Sequence, residues 1–225
     1  MRLWTPRRDP DARFAGAGHA AADTPWRDAS WCALDLELTG LNPRQDHIIA
    51  VGMVPIERGR VLLGQSVYTL VKSSRRSQPA AVLAHRLRVA DLAQAPALDE
   101  VMDLVITTLT GRVPVFHFAP VEQAFLLPQL RRRRLRLGHA ADTETLGRLW
   151  LERRDRTPQP GGLSLGRLSR HLGQRAEVAH HALGDAVSTA QAFIALATHL
   201  DNEAPQTVGS LLSESQRPPA WRPGR

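Results

Sequence analysis

The chain has 225 residues, of which 43% are hydrophobic and 23% are charged, so it is long enough to bury a core and is neither disordered nor fibrous. Its single cysteine, Cys32, excludes an intrachain disulfide and a cysteine-based zinc site. No apolar run approaches the roughly 18 residues of a membrane helix, so we expect a cytoplasmic protein with no membrane partner. The net charge of +7 favours a polyanionic partner without requiring one.

The two ends of the chain differ from its middle in composition. Residues 1–29 are rich in Ala, Arg, Asp, Gly and Pro and show no periodicity, and residues 201–225 are rich in Asn, Pro, Ser and Arg. Segments of this kind offer little apolar surface for a core. We therefore predict a flexible basic arm over 1–29, one domain over 30–200 and a flexible tail over 201–225.

The predicted domain begins with strands. Residues 31–38, WCALDLEL, alternate between polar and apolar side chains as a strand does. The apolar runs 47–57 and 59–71 flank a short turn at Arg58-Gly59, which predicts a β-hairpin.

Helices and short strands alternate in the remainder of the domain. Helical spacing appears in 97–109, a strand-like run in 112–118, and a helix start near Pro120, where proline suits the first turn. A short apolar segment near 140–143 precedes further helical stretches, the last and most apolar being 182–200. A hairpin followed by β-α-β units predicts an α/β domain in which helices flank a mixed sheet.

Asp35 and Glu37 lie two positions apart in the first predicted strand, so both carboxylates emerge on one of its faces. The polar turn Thr39-Gly40-Leu41 follows at the strand end, where open α/β sheets usually place their sites. Two acids at this spacing also occur on solvated strand faces, so the pair alone indicates little.

Further candidate side chains lie where strands end or helices begin. His117 ends a predicted strand, and Glu122 follows in the first turn of the next helix, a position that the helix dipole favours for any acid. Asp185 lies near the start of the last helix, on a face of small residues that allows a close approach to another element. His180 precedes that helix, and a neutral imidazole there can accept a proton from water near neutral pH.

Carboxylates gathered from three separate elements would repel one another unless cations neutralised them. Ligand sets of oxygen without cysteine suit Mg²⁺ or Mn²⁺. Two such ions about 4 Å apart stabilise in-line attack on a phosphodiester. If these acids meet, the sequence therefore favours metal-dependent phosphodiester chemistry.

Three segments resemble, in order and spacing, the exonuclease motifs of the DEDDh superfamily, which includes the proofreading subunit of bacterial DNA polymerase III. They are 35-DLELTG-40, 117-HFAPVEQAFL-126 and 180-HHALGD-185. Asp142-Thr143 with Leu146 also resembles a stretch that commonly follows the second motif. The resemblance spans roughly residues 31–198 and implies a ribonuclease H-like fold.

The resemblance also implies an activity, namely 3′-to-5′ exonucleolytic release of nucleoside monophosphates with two divalent cations, Mg²⁺ or Mn²⁺. His180 is the implied general base. The implied metal ligands are Asp35, Glu37, Glu122 and Asp185. The implied substrate contacts are Thr39, Gly40 and Leu41, with His117 and Phe118 beside them.

The second motif departs from the family pattern at two positions. Glu122 stands where the family has aspartate, and its extra methylene moves the carboxylate by about 1.5 Å, an offset to which metal sites are sensitive. Phe118 replaces an asparagine, which removes a polar group near the substrate. These departures predict altered activity or metal preference.

Three functions follow from these observations. The first is an exonuclease acting on 3′ ends, mainly of single-stranded DNA, in the company of a DNA polymerase or repair machinery. The second is a catalytically weakened module that binds nucleic acid or a polymerase, and the third is an exoribonuclease acting on short RNA. Arginines at 131–134 and 136 offer phosphate-binding charge, although consecutive arginines point all round a helix and a solvated helix end fits equally well.

Overall fold

The computed structural model of the protein describes residues 20–156, 158, 163–175 and 180–216. Its centre is a six-stranded sheet in which the order is β3-β2-β1-β5-β6, with β4 also paired to β2. The strands are β1 (Ser30–Leu38), β2 (Ile48–Glu57), β3 (Arg60–Val61), β4 (Val67–Leu70), β5 (Val113–Phe116) and β6 (Ala141–Asp142).

The sheet is mixed, as predicted. β1 pairs with β2 in antiparallel fashion, whereas β5 runs parallel to β1 and β6 runs parallel to β5. The carboxyl ends of β1, β5 and β6 therefore meet at one edge of the sheet, and β2 begins at the same edge. Together with the flanking helices, this arrangement is the ribonuclease H-like architecture that the motif resemblance implies.

The predicted hairpin around Arg58-Gly59 is present, and its second run, 59–71, is divided into two strands. Val61 pairs with Ile56 and Val67 pairs with Met53, so this segment uses more residues than β2 does between the same two points. The excess is accommodated in a short 3₁₀ turn, Leu63–Gln65, which divides the run into β3 and β4.

Helices cover both faces of the sheet. Those over 98–109, 119–132, 143–152, 165–171 and 182–203 follow the predicted helical spacing, whereas the short helices over 79–85, 89–92 and 208–215 were not predicted. Among the described residues, no helix is long and apolar enough to cross a membrane. The helices are α1 (Pro79–His85), α2 (Val89–Leu92), α3 (Leu98–Leu109), α4 (Ala119–Arg132), α5 (Thr143–Glu152), α6 (Leu165–His171), α7 (Ala182–Glu203) and α8 (Val208–Ser215).

The alternation of β1 determines which helix its acids face. Trp31 and Ala33 belong to the core shared with α7, whereas Cys32 and Leu34 belong to the core shared with α3 and α4. Because strand side chains alternate, Asp35 and Glu37 continue the face that α7 covers. The core thus directs both carboxylates towards the start of α7.

Segments on both sides of the predicted domain, 30–200, pack against it. Trp26 is fully buried, and its backbone N–H donates to the carbonyl of Gln206. The segment before β1 therefore packs against the segment between α7 and α8. α7 continues to Glu203, and Val208 and Leu211 of α8 are buried in the same core. The predicted flexibility of residues 1–19 and 217–225 lies outside the described residues.

Candidate active site

Three carboxylates meet at the carboxyl end of β1, the central strand of the sheet. Asp35 and Glu37 come from β1, and Asp185 comes from the first turn of α7. One carboxylate oxygen of each lies within 4.8 Å of the others. This spacing allows one cation to be bound by all three residues.

The three carboxylates come together because α7 approaches β2 closely at Gly52. A Cβ atom at Gly52 would lie 2.1 Å from the carbonyl oxygen of Ala182, so any other residue would displace the start of the helix. Ser188 and Thr189 are buried further along α7, in agreement with the expectation that small residues allow this contact.

Burial and mutual repulsion oppose ionisation of these acids. Burial raises the pKa of Asp35 well above its usual range, and the charges of Glu122, Asp185 and Glu37 raise it further. Burial, followed by the charge of Asp185, raises the pKa of Glu37 to about 7. A divalent cation would remove the repulsion and return the carboxylates to their charged form.

Two oxygens test whether the residues fit a cation. Within the described chain, Glu37 Oε1 and Glu122 Oε2 are buried without a hydrogen-bond partner. Buried carboxylate oxygens normally have partners, and the binding of a cation is one accepted reason when they lack a partner within the protein. An all-oxygen set with unpaired atoms fits Mg²⁺ or Mn²⁺ better than a thiolate-seeking metal.

Glu122 lies beside the group of three and not within it. It belongs to the first turn of α4 and is buried, and burial raises its pKa to about 8, helped by the charge of Asp142. Its charge acts on Asp35, but its carboxylate is outside the 4.8 Å group found among the described residues. The structure therefore brings three of the four predicted metal ligands together and leaves the fourth adjacent.

The two histidines before α7 differ in what they contact. His180 is exposed, has a left-handed backbone with φ of 64°, and donates its backbone N–H to Asp185 Oδ2 at 2.7 Å. His181 stacks on Tyr68 with ring centroids 4.6 Å apart, and its Nδ1 accepts from the N–H of Gly184. His180 thus borders the carboxylate cluster, whereas His181 caps the helix.

The turn after β1 is held rigidly and ends in an exposed apolar side chain. Thr39 is fully buried, and its Oγ1 donates to Asp46 Oδ1 at 3.2 Å. A Cβ atom at Gly40 would lie 2.3 Å from Gln78 Nε2 and 2.5 Å from Asp46 Oδ2, so a larger residue would displace these two side chains. Leu41, which follows directly, is 75% exposed.

His117 and Phe118 connect β5 to α4. His117 Nδ1 lies 2.9 Å from Thr143 Oγ1, and burial lowers the pKa of this histidine to about 4, so it is neutral at physiological pH. This contact is typical of a histidine that packs within the protein. Phe118 adopts the left-handed conformation, φ 65°, and its N–H donates to Asp142 Oδ1.

Sequence reasoning missed two residues around the site, Asp46 and His85, and gave no role to a third, Asp142. Asp46 organises the turn that follows β1, and its position immediately before β2 was an available signal, because a hairpin brings that position beside Thr39. Asp142 accepts from the backbone of Phe118 and caps α5. Burial, followed by the charge of His180, lowers the pKa of His85, and no signal pointed to this residue because α1 was not predicted.

A mixed sheet with a carboxylate cluster at the end of its central strand defines a metal-dependent nuclease of ribonuclease H-like architecture. A family model described as RNase_T, exonuclease, matches residues 32–193. The chain therefore belongs to this exonuclease family, as the DEDDh motifs predicted. Exonucleases of this family need divalent metal ions, and the acidic cluster supplies oxygen ligands for them.

Relatives of the chain include two proteins that are named after bacterial DNA polymerase III. A DNA polymerase III subunit epsilon-like protein of Rhodobacter capsulatus is 34% identical over 212 residues, which is 93% of this chain and 29% of that protein. The PolC-type DNA polymerase III of Thermotoga maritima is 28% identical over 177 residues, which is 76% of this chain and 12% of that protein. The chain spans less than a third of the length of either relative.

Solved nucleases share the fold. Exonuclease X in complex with 5′ overhanging duplex DNA gives a TM-score of 0.59 at 19% identity, covering 82% of this chain and 99% of that one. The nuclease domain of 3′hExo, a DEDDh family member bound to rAMP, gives 0.60 at 16% identity, covering 82% and 98%. Exonuclease I of E. coli with a dA16 oligonucleotide gives 0.62 at 15% identity, covering 77% and 42%.

Proposed function

We propose that this protein is a metal-dependent 3′-to-5′ exonuclease that releases nucleoside monophosphates from single-stranded DNA. The observation that carries the proposal is the group formed by Asp35, Glu37 and Asp185, whose oxygens lie within 4.8 Å of one another. A cluster of acids that repel one another and leave buried oxygens unpaired is costly unless cations are part of the working protein.

The proposed metal ligands are Asp35, Glu37, Glu122 and Asp185, and the proposed ions are two Mg²⁺ or Mn²⁺. When bound, such ions supply charge for the oxygens that become negative during phosphodiester cleavage. Glu122 would hold its ion from beside the group of three, because its carboxylate lies outside that group.

His180 is the proposed general base. It is exposed at the edge of the carboxylate group, and its backbone bond to Asp185 fixes its position relative to the ligands. Its ring takes a proton from the attacking water while the water oxygen bonds to phosphorus. The bond from phosphorus to the 3′ oxygen of the preceding nucleotide breaks, that oxygen takes a proton from solvent, and a nucleoside 5′-monophosphate leaves.

Recognition of the 3′ end is assigned to the turn after β1. Thr39, Gly40 and Leu41 are held by Asp46 and Gln78, so the turn needs little reorganisation when it meets a terminal nucleotide. The exposed Leu41 side chain supports a stacking or wedging contact with the terminal base. His117 and Phe118 complete the proposed substrate side.

A DNA polymerase or repair complex is the proposed partner, and the similarity to a polymerase III epsilon-like protein supports it. Pull-down of replication proteins with the purified chain, compared before and after nuclease treatment of the extract, tests this directly. An association that disappears after nuclease treatment would reflect shared nucleic acid and would remove the partner from the proposal.

The activity is tested with 5′-labelled single-stranded DNA and RNA in the presence of Mg²⁺, Mn²⁺ or EDTA. Wild-type protein is compared with Asp35→Asn and His180→Ala. Asp28→Asn and His171→Ala are matched controls, because both positions are exposed and distant in sequence from the motifs. A 3′-phosphorylated oligonucleotide tests the polarity.

A ladder that shortens from the 3′ end, requires metal and disappears only in the two site variants is the expected result. Preference for RNA over DNA would change the substrate class to that of an exoribonuclease. Binding of the oligonucleotides without cleavage under every metal condition would leave a nucleic-acid-binding module as the function.

A further inference from the structure

The start of α7 carries two groups of the proposed active site, the general base His180 and the metal ligand Asp185. They are joined to each other, because the backbone N–H of His180 donates to Asp185 Oδ2 at 2.7 Å, and the N–H of Asp185 donates to the carbonyl of His181 at 2.9 Å. Residues 180–185 are called the α7 entry below. A contact that holds or shifts the α7 entry therefore acts on the base and the ligand together.

The hydrogen bonds of the α7 entry hold it weakly. His180 has φ of 64°, in the left-handed region that residues other than glycine adopt at a cost. At the helix cap, His181 Nδ1 accepts from the N–H of Gly184 at 3.3 Å, which is longer than the usual distance of about 2.9 to 3.0 Å. Histidine is also not among the side chains that helices prefer at this position. A further contact is needed to fix the imidazole of His181 and the backbone that carries it.

Tyr68 supplies such a contact from β4, on the side of β2 opposite to β1. Its ring stacks on the imidazole of His181, with ring centroids 4.6 Å apart and ring planes inclined by 24°. Aromatic rings at this separation attract each other beyond the area that they bury. The stack therefore fastens the α7 entry to the sheet.

The register of the sheet places this stack beside the carboxylate group. Tyr68 pairs with Gly52, and Gly52 pairs with Asp35, so the three positions form a row across β4, β2 and β1. Because cross-strand partners point to the same face, Tyr68 lies on the face of Asp35. Gly52 leaves room between them, and the backbone of Ala182 lies over it. The α7 entry thus crosses the sheet between the stack on one side and the carboxylates of β1 on the other.

We propose that Tyr68 is a positioning residue whose ring, stacked on His181, holds the α7 entry in place relative to the carboxylates of β1. The proposal deepens the proposed exonuclease function and rests on it. Tyr68 acts through His181 and contacts no reacting atom. Since stacking uses the ring and not the hydroxyl, phenylalanine should replace Tyr68, whereas an aliphatic residue should not.

Variants at both partners separate the stack from the helix cap and from the strand. Tyr68→Phe keeps the ring and Tyr68→Leu removes it, and because Tyr68 is 39% exposed neither change empties a buried site. His181→Phe keeps a stacking ring and loses the cap acceptor, whereas His181→Asn keeps an acceptor that helix caps prefer and loses the ring. Val67→Ala is the matched control, because Val67 packs against the core on the opposite face of β4.

Loss of the stack should slow the reaction with little change in substrate binding. On single-stranded DNA we expect kcat to fall by about 5- to 10-fold in Tyr68→Leu and in His181→Asn, with KM within about twofold of wild type. The double variant should be no slower than either single one, since no stack is left to remove. Tyr68→Phe, His181→Phe and Val67→Ala should keep the wild-type kcat. His181→Phe should nevertheless unfold at a lower temperature, because it has lost the cap.

A spectroscopic signal reports on the stack without activity. Tyr68 is the only tyrosine of the chain, so incorporation of 3-fluorotyrosine gives one ¹⁹F resonance. Paramagnetic Mn²⁺ at the carboxylate group should broaden it, since Asp35 and Tyr68 are two strand spacings apart, roughly 10 Å between Cα atoms. In His181→Asn the resonance should move towards that of the free amino acid, and half of the broadening should need about 5- to 10-fold more Mn²⁺. His181→Phe should need as much Mn²⁺ as the wild type.

The outcomes distinguish this proposal from the exonuclease itself. If the wild type cleaves and no variant differs from it, the positioning role is wrong and the exonuclease stands. A kcat as low in Val67→Ala as in Tyr68→Leu would assign the effect to the strand, and a rise in KM in Tyr68→Phe would assign the hydroxyl to the substrate; either result overturns the proposal. If the wild type binds Mn²⁺ without cleaving, the Mn²⁺ requirements of the two His181 variants decide. If it neither binds Mn²⁺ nor cleaves, the exonuclease fails and the positioning role fails with it.

Discussion

Two sets of buried carboxylates lie at the same edge of the sheet and differ in how their oxygens are satisfied. In the first set, Glu37 and Glu122 each keep a buried oxygen without a hydrogen-bond partner in the described chain. In the second set, Asp46 accepts from Thr39 and Gln78, and Asp142 accepts from three backbone N–H groups. The sets differ in their partners rather than in their burial.

This difference distinguishes the carboxylates of the candidate site from those that stabilise the surrounding structure, which are called the scaffold set. Asp46 and Asp142 each join two segments of backbone, and their hydrogen bonds offset the desolvation of the charge. The unpaired oxygens of Glu37 and Glu122 receive no such compensation. Burial and then the charges of both residues, with that of Asp185, raise the pKa of Asp35, and these four carboxylates are treated together as the first set. Removing a charge from the first set should therefore stabilise the metal-free fold, whereas removing one from the second should destabilise it.

The largest expected effect is that of Asp35→Asn on activity. The substitution keeps the size of the side chain and removes a charge that would bind the cation. The bound cation is expected to stabilise the transition state by several kcal/mol. We expect kcat to fall by about 100-fold or more, and the metal-free protein to unfold at a higher temperature than wild type. Steady-state kinetics and thermal unfolding in EDTA measure the two changes, and an active or less stable variant would place Asp35 in the scaffold set.

Asp142→Ala should have the opposite pattern. It leaves the N–H groups of Phe118, Ala119 and Glu144 without their acceptor and removes the cap of α5. We expect the free energy of unfolding in urea to fall by about 3 kcal/mol. Asp142→Asn retains one acceptor oxygen and should lose less. A loss below about 1 kcal/mol in the alanine variant would contradict the scaffold role.

The carboxylates of the first set were largely predictable from sequence, and the structure shows the physical reasons. Alternation in β1 places Asp35 and Glu37 on one face, and the small residues at the start of α7 allow Asp185 to reach them. The offset of Glu122 from the group of three was not predictable, because it depends on how α4 packs against β5.

The scaffold set could not be predicted in the same way. Asp142 acts on backbone groups more than twenty positions away, at Phe118 and Ala119, and no local pattern records such a bond. The short helix α8 was missed because only Val208 and Leu211 of its residues are buried, too few to produce a period in a segment rich in serine. The hydrogen bonds of Asp142 and the formation of α8 therefore depend on where these residues lie in the fold and not on local composition.

Stability of the metal-free protein should depend on pH through the first set. The folded pKa values of Glu37 and Glu122, about 7 and about 8, lie above the ordinary value of 4.5, so the folded state binds more protons than the unfolded state between these limits. Their stabilising contribution is complete below pH 4.5 and is lost as pH rises through 7 to 8.

A divalent cation should restore that loss, because it replaces the protons. At a concentration about 100-fold above its dissociation constant, Mn²⁺ should raise the free energy of unfolding by about 2 to 3 kcal/mol, and by less at about pH 6, where protons compete with it. Thermal unfolding with Mn²⁺ or EDTA at both pH values measures this. Glu122→Gln should reduce the pH dependence, and an equal effect of Mn²⁺ at both pH values would speak against a carboxylate site.

The smallest expected effect concerns Phe118, which links the two sets. Its backbone has φ of 65° and ψ of 56° while its N–H donates to Asp142, and a bulky residue in this left-handed region is strained by about 1 to 2 kcal/mol. Asparagine tolerates the region, so Phe118→Asn should raise the free energy of unfolding by up to about 1 kcal/mol. Phe118→Ala is the control, because alanine loses the ring and keeps the backbone penalty. If both variants are destabilised equally, packing of the ring outweighs the strain of the backbone.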